Sequence, residues 1–294
     1  MNLFSIGDIE NLTQIKAHTL RIWEQRHGLC IGKRRESRHR FYDGDDLKQI
    51  LHIALLYKKG KKISHISKLS KEEIRLSALS LSDNSDKFEV YITRLIETSI
   101  DMDPIGFVTV VNDAITHTGM ETAVLEIIFP FFKKIGMLWL TGHAMPAQEH
   151  FASSIITQKI ISETDKLPFN PHPQTTRRVL LFTPVGEYHE MPLLFMKFLL
   201  KKNGIPHTYM GKSIEFNTLL EYSSKQEVTE LFFVLITNLT HTSLDNYLKQ
   251  LSNYFPNKKI SCTGYSCSSN TGIQPGINVI KNTDEVLAFA SIRY

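Results

Sequence analysis

The chain has 294 residues, is 42% hydrophobic and 22% charged, and carries a formal net charge of +4. Its length predicts two or three domains, and the composition is ordinary for a soluble globular protein. No run of about 18 apolar residues is present, which excludes a membrane-spanning helix, and the N-terminus lacks the basic-then-apolar pattern of a secretory signal. Cys30, Cys262 and Cys267 form no CxxC pair and are expected to be reduced thiols in a cytoplasmic protein. The charge is unevenly spread: residues 1–75 hold 16 Lys+Arg against 9 Asp+Glu, and the remainder 18 against 21. A basic first quarter on a mildly acidic remainder predicts that one module meets a polyanion and the others do something else.

Ser5 can cap a short helix, Ile6 to Leu12, with Asp8 in its first turn. After the polar break Thr13-Gln14-Ile15, a second helix runs from about Ala17 to Gln25. Ile6, Ile9, Leu12, Ile15, Leu20 and Ile22 supply a small core, and the pair reads as a helix-turn-helix. The exposed face of the second helix then offers His18, Thr19, Arg21 and Trp23 to base edges and phosphates. The basic run from Lys33 to Arg40, with Arg34, Arg35 and Arg38 inside it, lies between two helices. It reads as a wing reaching the phosphate backbone. Phe41 and Tyr42 follow, and Asp43 caps a helix starting near Asp45.

Ile6-Gly7-Asp8-Ile9, Thr19-Leu20-Arg21-Ile22-Trp23-Glu24, Gly28-Leu29 and Arg40-Phe41-Tyr42 together resemble the N-terminal domain of MerR-family transcription regulators. The resemblance covers about residues 1–75. It implies a dimer on a double-stranded operator, with Thr19, Arg21, Trp23, Arg40 and Tyr42 at or beside the DNA. Gly32 departs from the family pattern, which commonly has proline there.

Leu76 to Asp86 is Ser-rich and reads as a linker or helix break. Helical periodicity then continues through Phe88–Ile96, Ile105–Ile115, Met120–Ile135 with its internal Pro130, and Ala147–Ile161. Four helices with short connections predict an antiparallel bundle over residues 76–170. Trp139, followed ten residues later by Glu149-His150, resembles the helical cap of cobalamin-dependent MerR regulators. There the tryptophan covers the upper face of the corrin and the Glu-His pair lies near the upper ligand. In the photoreceptor members a histidine follows the tryptophan; here Leu140 does, which removes that group from any light chemistry.

Past the Pro-rich stretch Pro168 to Pro173, strands and helices alternate. The strands are Val179–Thr183, Ile205–Met210, Glu230–Ile236, Lys259–Thr263 and Ile277–Ile280. The helices are Met191–Lys202, Glu215–Ser223, Ser243–Tyr254 and Asp284–Ala290. Alternation of this kind predicts a doubly wound parallel sheet over residues 171–294, with ligand at the carboxyl ends of its strands. No GxGxxG or P-loop follows the first strand, so nicotinamide and nucleoside triphosphate are not expected.

Three loops reach that edge: Glu187-Tyr188-His189, Thr237-Asn238-Leu239 and Thr263-Gly264-Tyr265. A carboxylate two residues before a histidine can take the imidazole's second proton and so orient it for a metal. The order and spacing of the loops resemble the flavodoxin-like cobalamin-binding module. That resemblance implies His189 as lower cobalt ligand supported by Glu187, with Thr237, Leu239 and Gly264 around the cofactor's nucleotide tail. Pro192 and Tyr265 stand where the module's motif has glycines. The expected protein is a multidomain α and α/β regulator: winged helix-turn-helix, four-helix cap and cobalamin-binding domain. Its expected cofactor is cobalamin, most naturally adenosylcobalamin, coupled to oligomerisation and operator binding. The alternative is a MerR-type regulator whose third domain has lost the cofactor and senses another ligand or a protein. An enzyme is not expected, because no nucleophile–base pair is visible and no chain remains for a substrate barrel of about 250 residues.

Overall fold

The computed structural model describes residues 3–34, 40–81, 84–140, 146–168, 170–173, 175–239, 242–269 and 276–291; the side chains of 34, 84–86, 139, 140 and 146 lie outside that description. The chain divides into two compact units, Met1–Ile156 and Thr157–Tyr294.

The first unit opens with strand β1 (Phe4–Ser5) and helices α1 (Ile6–Thr13) and α2 (Ala17–His27). Ser5 and Asp8 form a reciprocal capping box at the start of α1, with the Ser5 amide donating to Asp8 Oδ2 at 2.6 Å. Gln14, in the left-handed conformation, ends α1 and makes the break between the helices. Strands β2 (Lys33–Arg34) and β3 (Arg40–Tyr42) pair antiparallel, and β1 adds to β3, giving the sheet order β1-β3-β2. This is the expected wing, although Arg35 and Arg38 lie outside the described residues. Asp43 caps α3 (Gly44–Lys58), one residue ahead of the expected start. Short α4 (Ile63–Ile66) and α5 (Lys71–Leu79) follow, then α6 (Asn84–Ile100), α7 (Pro104–Thr118), α8 (Met120–Thr122), a π-helical turn over Ala123–Ile128, α9 (Phe129–Leu140) and α10 (Pro146–Lys166). The expected linker from Leu76 is partly helix, since α5 continues to Leu79.

The π-helical turn, in which the Phe129 amide reaches back five residues to the Val124 carbonyl, lies directly before Pro130, which has no amide hydrogen to give to an α-helical bond. Phe107 and Phe131 pack edge-to-face in this unit's core, both without solvent exposure.

The second unit holds β4 (Val179–Pro184), α11 (Met191–Lys202), β5 (His207–Ile214), α12 (Phe216–Lys225), β6 (Glu230–Val234), α13 (Leu244–Tyr254), β7 (Lys259–Thr263), α14 (Tyr265–Ser269), β8 (Ile277–Ile280) and α15 (Thr283–Phe289). The strands pair in parallel in the order β5-β4-β6-β7-β8, the doubly wound arrangement expected. β4 and β6 are buried on both faces, which is why they read as unbroken apolar runs. Leu180, Phe182, Leu231 and Phe233 point into one layer with Leu248 and Leu251 of α13. Strand β5 extends beyond Met210 because Gly211 and Ser213 take positive φ angles and shift its register against β4.

Candidate functional site

The strand order reverses at β4. The chain leaves β4 for β5 on one side and later returns to lay β6 on the other. In an open parallel sheet this switch point is where the carboxyl-end loops part and leave a crevice. Glu187 lies there. Gly186 makes the turn at φ +85°, and its amide donates to Ser213 Oγ at 3.1 Å. The Thr183 hydroxyl donates to the Glu187 carbonyl at 2.6 Å and fixes the loop from below.

The Glu187 side chain is 1% exposed and bridges the crevice. Its Oε1 accepts from the His189 amide at 2.9 Å and lies 2.7 Å from His189 Nδ1. Its Oε2 accepts from the amides of Ile236 and Thr237 at 2.7 and 2.8 Å, and from the Thr237 hydroxyl at 3.0 Å. Burial alone would raise its pKa. The bonds from His189, Thr237 and Ile236 outweigh burial and hold the group at about 2. A carboxylate charged at neutral pH only accepts, so Nδ1 of His189 carries the proton. Nδ1 is thus engaged by Glu187, on a ring that is half exposed.

Thr237 thus spends both its amide and its hydroxyl on Glu187. Leu239 packs against the core beneath. Gly264 takes φ +116°, and a Cβ there would stand 2.2 Å from the Leu235 carbonyl oxygen. Glycine is required because the β7 loop lies directly on the end of β6. Tyr265 turns away from this contact and is 76% exposed. Pro192 sits in the first turn of α11, where a missing amide hydrogen costs nothing. Ser266, not anticipated from sequence, closes the loop by donating to the Ile236 carbonyl at 3.1 Å.

Among the described residues no group of three or more His, Cys, Asp or Glu is poised for a metal ion. One buried carboxylate orienting one imidazole suits a metal whose remaining positions come from a macrocycle. The donor set therefore fits a corrinoid. In the helical part, Glu149 is partly exposed and His150 is exposed, with Nδ1 of His150 3.5 Å from Glu149 Oε2. The backbone of Trp139 lies in the last turn of α9; its side chain lies outside the described residues.

On α2, His18 and Arg21 are exposed and Thr19 is half-buried. Trp23 is not on that face. It is 3% exposed, edge-on to Tyr57 with ring centroids 4.8 Å apart, while Ile22, expected in the core, is 40% exposed. The inward pair is Leu20 and Trp23, three apart as helical geometry requires; Leu20 and Ile22 cannot share a face. Tyr42 is also buried, and burial pushes its phenol up to about 12. Arg40 donates through Nε to Glu24 Oε2 at 2.8 Å, which ties the wing to α2. The backbone of Arg34 lies in β2; its side chain lies outside the described residues. Lys33 pairs with Asp43 and, at 3.2 Å, with Asp46. Sequence singled out Asp43 as a helix cap but not its pairing with Lys33, nor that of Glu24 with Arg40; Asp43-x-x-Asp46 has the spacing of a capping box.

Residues 4–73 match the MerR HTH family regulatory protein, and residues 91–161 match the B12 binding domain. The chain joins a MerR-type DNA-reading domain to a B12-binding domain. It is 23% identical over 217 residues to the HTH-type transcriptional repressor CarH of Myxococcus xanthus, covering 72% of this chain and 71% of that one. The corresponding values for the repressor CarA of the same organism are 26% over 208 residues, 70% and 67%. In fold, the MerR- and B12-type chain is similar to the monomethylamine corrinoid protein of Methanosarcina barkeri. The TM-score is 0.50 at 13% identity, covering 71% of this chain and 98% of that one. No helix among the described residues is long and apolar enough to cross a membrane.

Proposed function

We propose that the chain is a transcription regulator that reads a DNA operator with residues 1–75 and senses cobalamin with residues 76–170 and 171–294. The observation that carries the sensor is the Glu187 carboxylate, buried at the sheet's switch point and 2.7 Å from Nδ1 of His189. Cobalamin, when bound, would supply a cobalt centre. In this reading His189 would be its protein ligand and Glu187 would fix the imidazole's tautomer and angle. Trp139, Glu149 and His150 would belong to the same cofactor site. His18, Thr19 and Arg21 face the DNA grooves, while Arg34, Arg35 and Arg38 follow the phosphates. Arg40 acts first as a fastener of the wing, and Trp23 and Tyr42 support the reading helix from beneath. The adenosyl form, operator binding as a homodimer or larger homo-oligomer, and a cytoplasmic location belong to the same proposal.

The test is reconstitution of the full chain with adenosylcobalamin in the dark, followed by gel filtration. A coloured complex is expected, with His189→Ala weakening binding by at least the roughly 10–100-fold that loss of a ligand's outer-shell partner costs. A colourless protein peak, or a His189→Ala variant with unchanged affinity and spectrum, sinks the sensor.

A further inference from the structure

Of the two helices that bracket residues 141–145, α9 is braced on the DNA-reading part of the first unit and α10 on the end of α6, which meets that part. Helix α9 packs on α1, the first helix of the reader. Helix α10 is held at its start by Gln148, which is 4% exposed and donates through Nε2 to the Ile100 carbonyl at 3.2 Å. Ile100 is the last residue of α6, and its Cγ2 would lie 3.1 Å from a Cβ placed on Gly44, the first residue of α3. The neighbouring Asp101 accepts from Lys48 of α3 at 2.7 and 2.8 Å. One turn back, Glu97 Oε1 lies 2.8 Å from His52 Nε2, again on α3. The cap of α3, Asp43, holds Lys33 of the wing strand β2.

We propose that Gln148 is a positioning residue through which the start of α10 is coupled to the wing, by way of Ile100, Asp101 and the first turn of α3. This deepens the cobalamin reading and rests on it, because it takes the adjacent Glu149 as the place where ligand acts. The path is made of close packing, the hydrogen bond from Gln148 to the Ile100 carbonyl, and the Lys48–Asp101 and Lys33–Asp43 ion pairs. A ligand that favours one position of α10 therefore biases one position of α3, within a single protomer and before any change of assembly. Coupling of this kind is an equilibrium property and is measured at both ends.

The experiment is amide hydrogen exchange on the full chain, with and without hydroxocobalamin, whose binding is read separately from its absorbance. Bound hydroxocobalamin is expected to slow exchange along α3 by about fivefold, the lower end of ordinary allosteric coupling. In Gln148→Leu the probe still binds but the ratio at α3 falls to about one. Asp101→Asn, a half-exposed change that spares the core, is expected to do the same and guards against a Gln148 variant that fails to fold. The coupling is overturned if α3 ignores bound probe in the parent chain, or if either folded variant responds as the parent does. Failure of the probe to bind the parent chain shows in the absorbance alone and removes the cobalamin reading together with the coupling built on it.

Discussion

Glu187 shows how much one buried carboxylate can organise. Five hydrogen bonds converge on it, from His189, Ile236 and Thr237. Glutamine at 187 has one acceptor oxygen and turns an NH2 group toward one set of these donors. Glu187→Gln is expected to cost about 2–4 kcal/mol by chemical denaturation, between the cost of leaving one buried polar group unsatisfied and that of breaking a buried charge pair. A loss under about 0.5 kcal/mol would show that the loops hold without it. The pairing with His189 was legible in the sequence because the two residues are neighbours. The bonds to Ile236 and Thr237 were not, since those residues are 49 and 50 positions away and no local pattern announces which loop will arrive. Trp23 failed for another reason: a large aromatic beside arginines suits either DNA or core, and only helical phase with Leu20 decides.

At the scale of elements, periodicity located most helices and all five strands of the second unit. It missed α14, which is five residues long and too short for a pattern, and the far end of β5, where Gly211 and Ser213 bend a strand that sequence would close. Helix α3 carries a prediction of its own. Asp43 is both its cap and the partner of Lys33, and the Lys33 ammonium holds the Asp43 carboxyl below its ordinary value. A depressed carboxyl pKa contributes stability that is present above the unfolded value of about 4 and is lost as pH falls through the folded value. Asparagine caps as well as aspartate but cannot pair with lysine. The difference in thermal midpoint between the parent chain and Asp43→Asn is therefore expected to be largest above pH 5 and to shrink steadily toward pH 2. A constant difference would assign Asp43 to capping alone.

For the molecule as a whole, the basic excess seen in composition belongs to residues 1–75, within the first unit. Not all of those cations are available to DNA, because Lys33 and Arg40 already face Asp43 and Glu24. Binding to a mixed-sequence duplex should weaken as salt rises, with log K linear in log salt. Arg21→Ala is expected to reduce that slope by about one. Arg40→Ala is expected to lower affinity while changing the slope less, because its charge is spent within the protein. Titration by fluorescence anisotropy at several salt concentrations separates the two, and equal slope changes would make Arg40 a phosphate contact.

The Arg177 clamp in the second unit has a consequence in time rather than in stability. Its guanidinium binds Glu230 through two nitrogens at 2.8 and 2.9 Å, lies over the Phe289 ring, and donates to the carbonyls of Phe289 and Ser291, 112 and 114 residues further on. A chain made from its N-terminus presents Arg177 first, Glu230 next and those carbonyls last. Each closure spans a long loop, the kind of contact that slows folding. The pair with Glu230 can form while the ribosome is still adding the last strand, but the sheet is sealed at that end only when α15 arrives. Until then the apolar strand β6 is covered on one side without the ring of Phe289, so the nascent unit is most open to misassociation in the interval before its final helix is made.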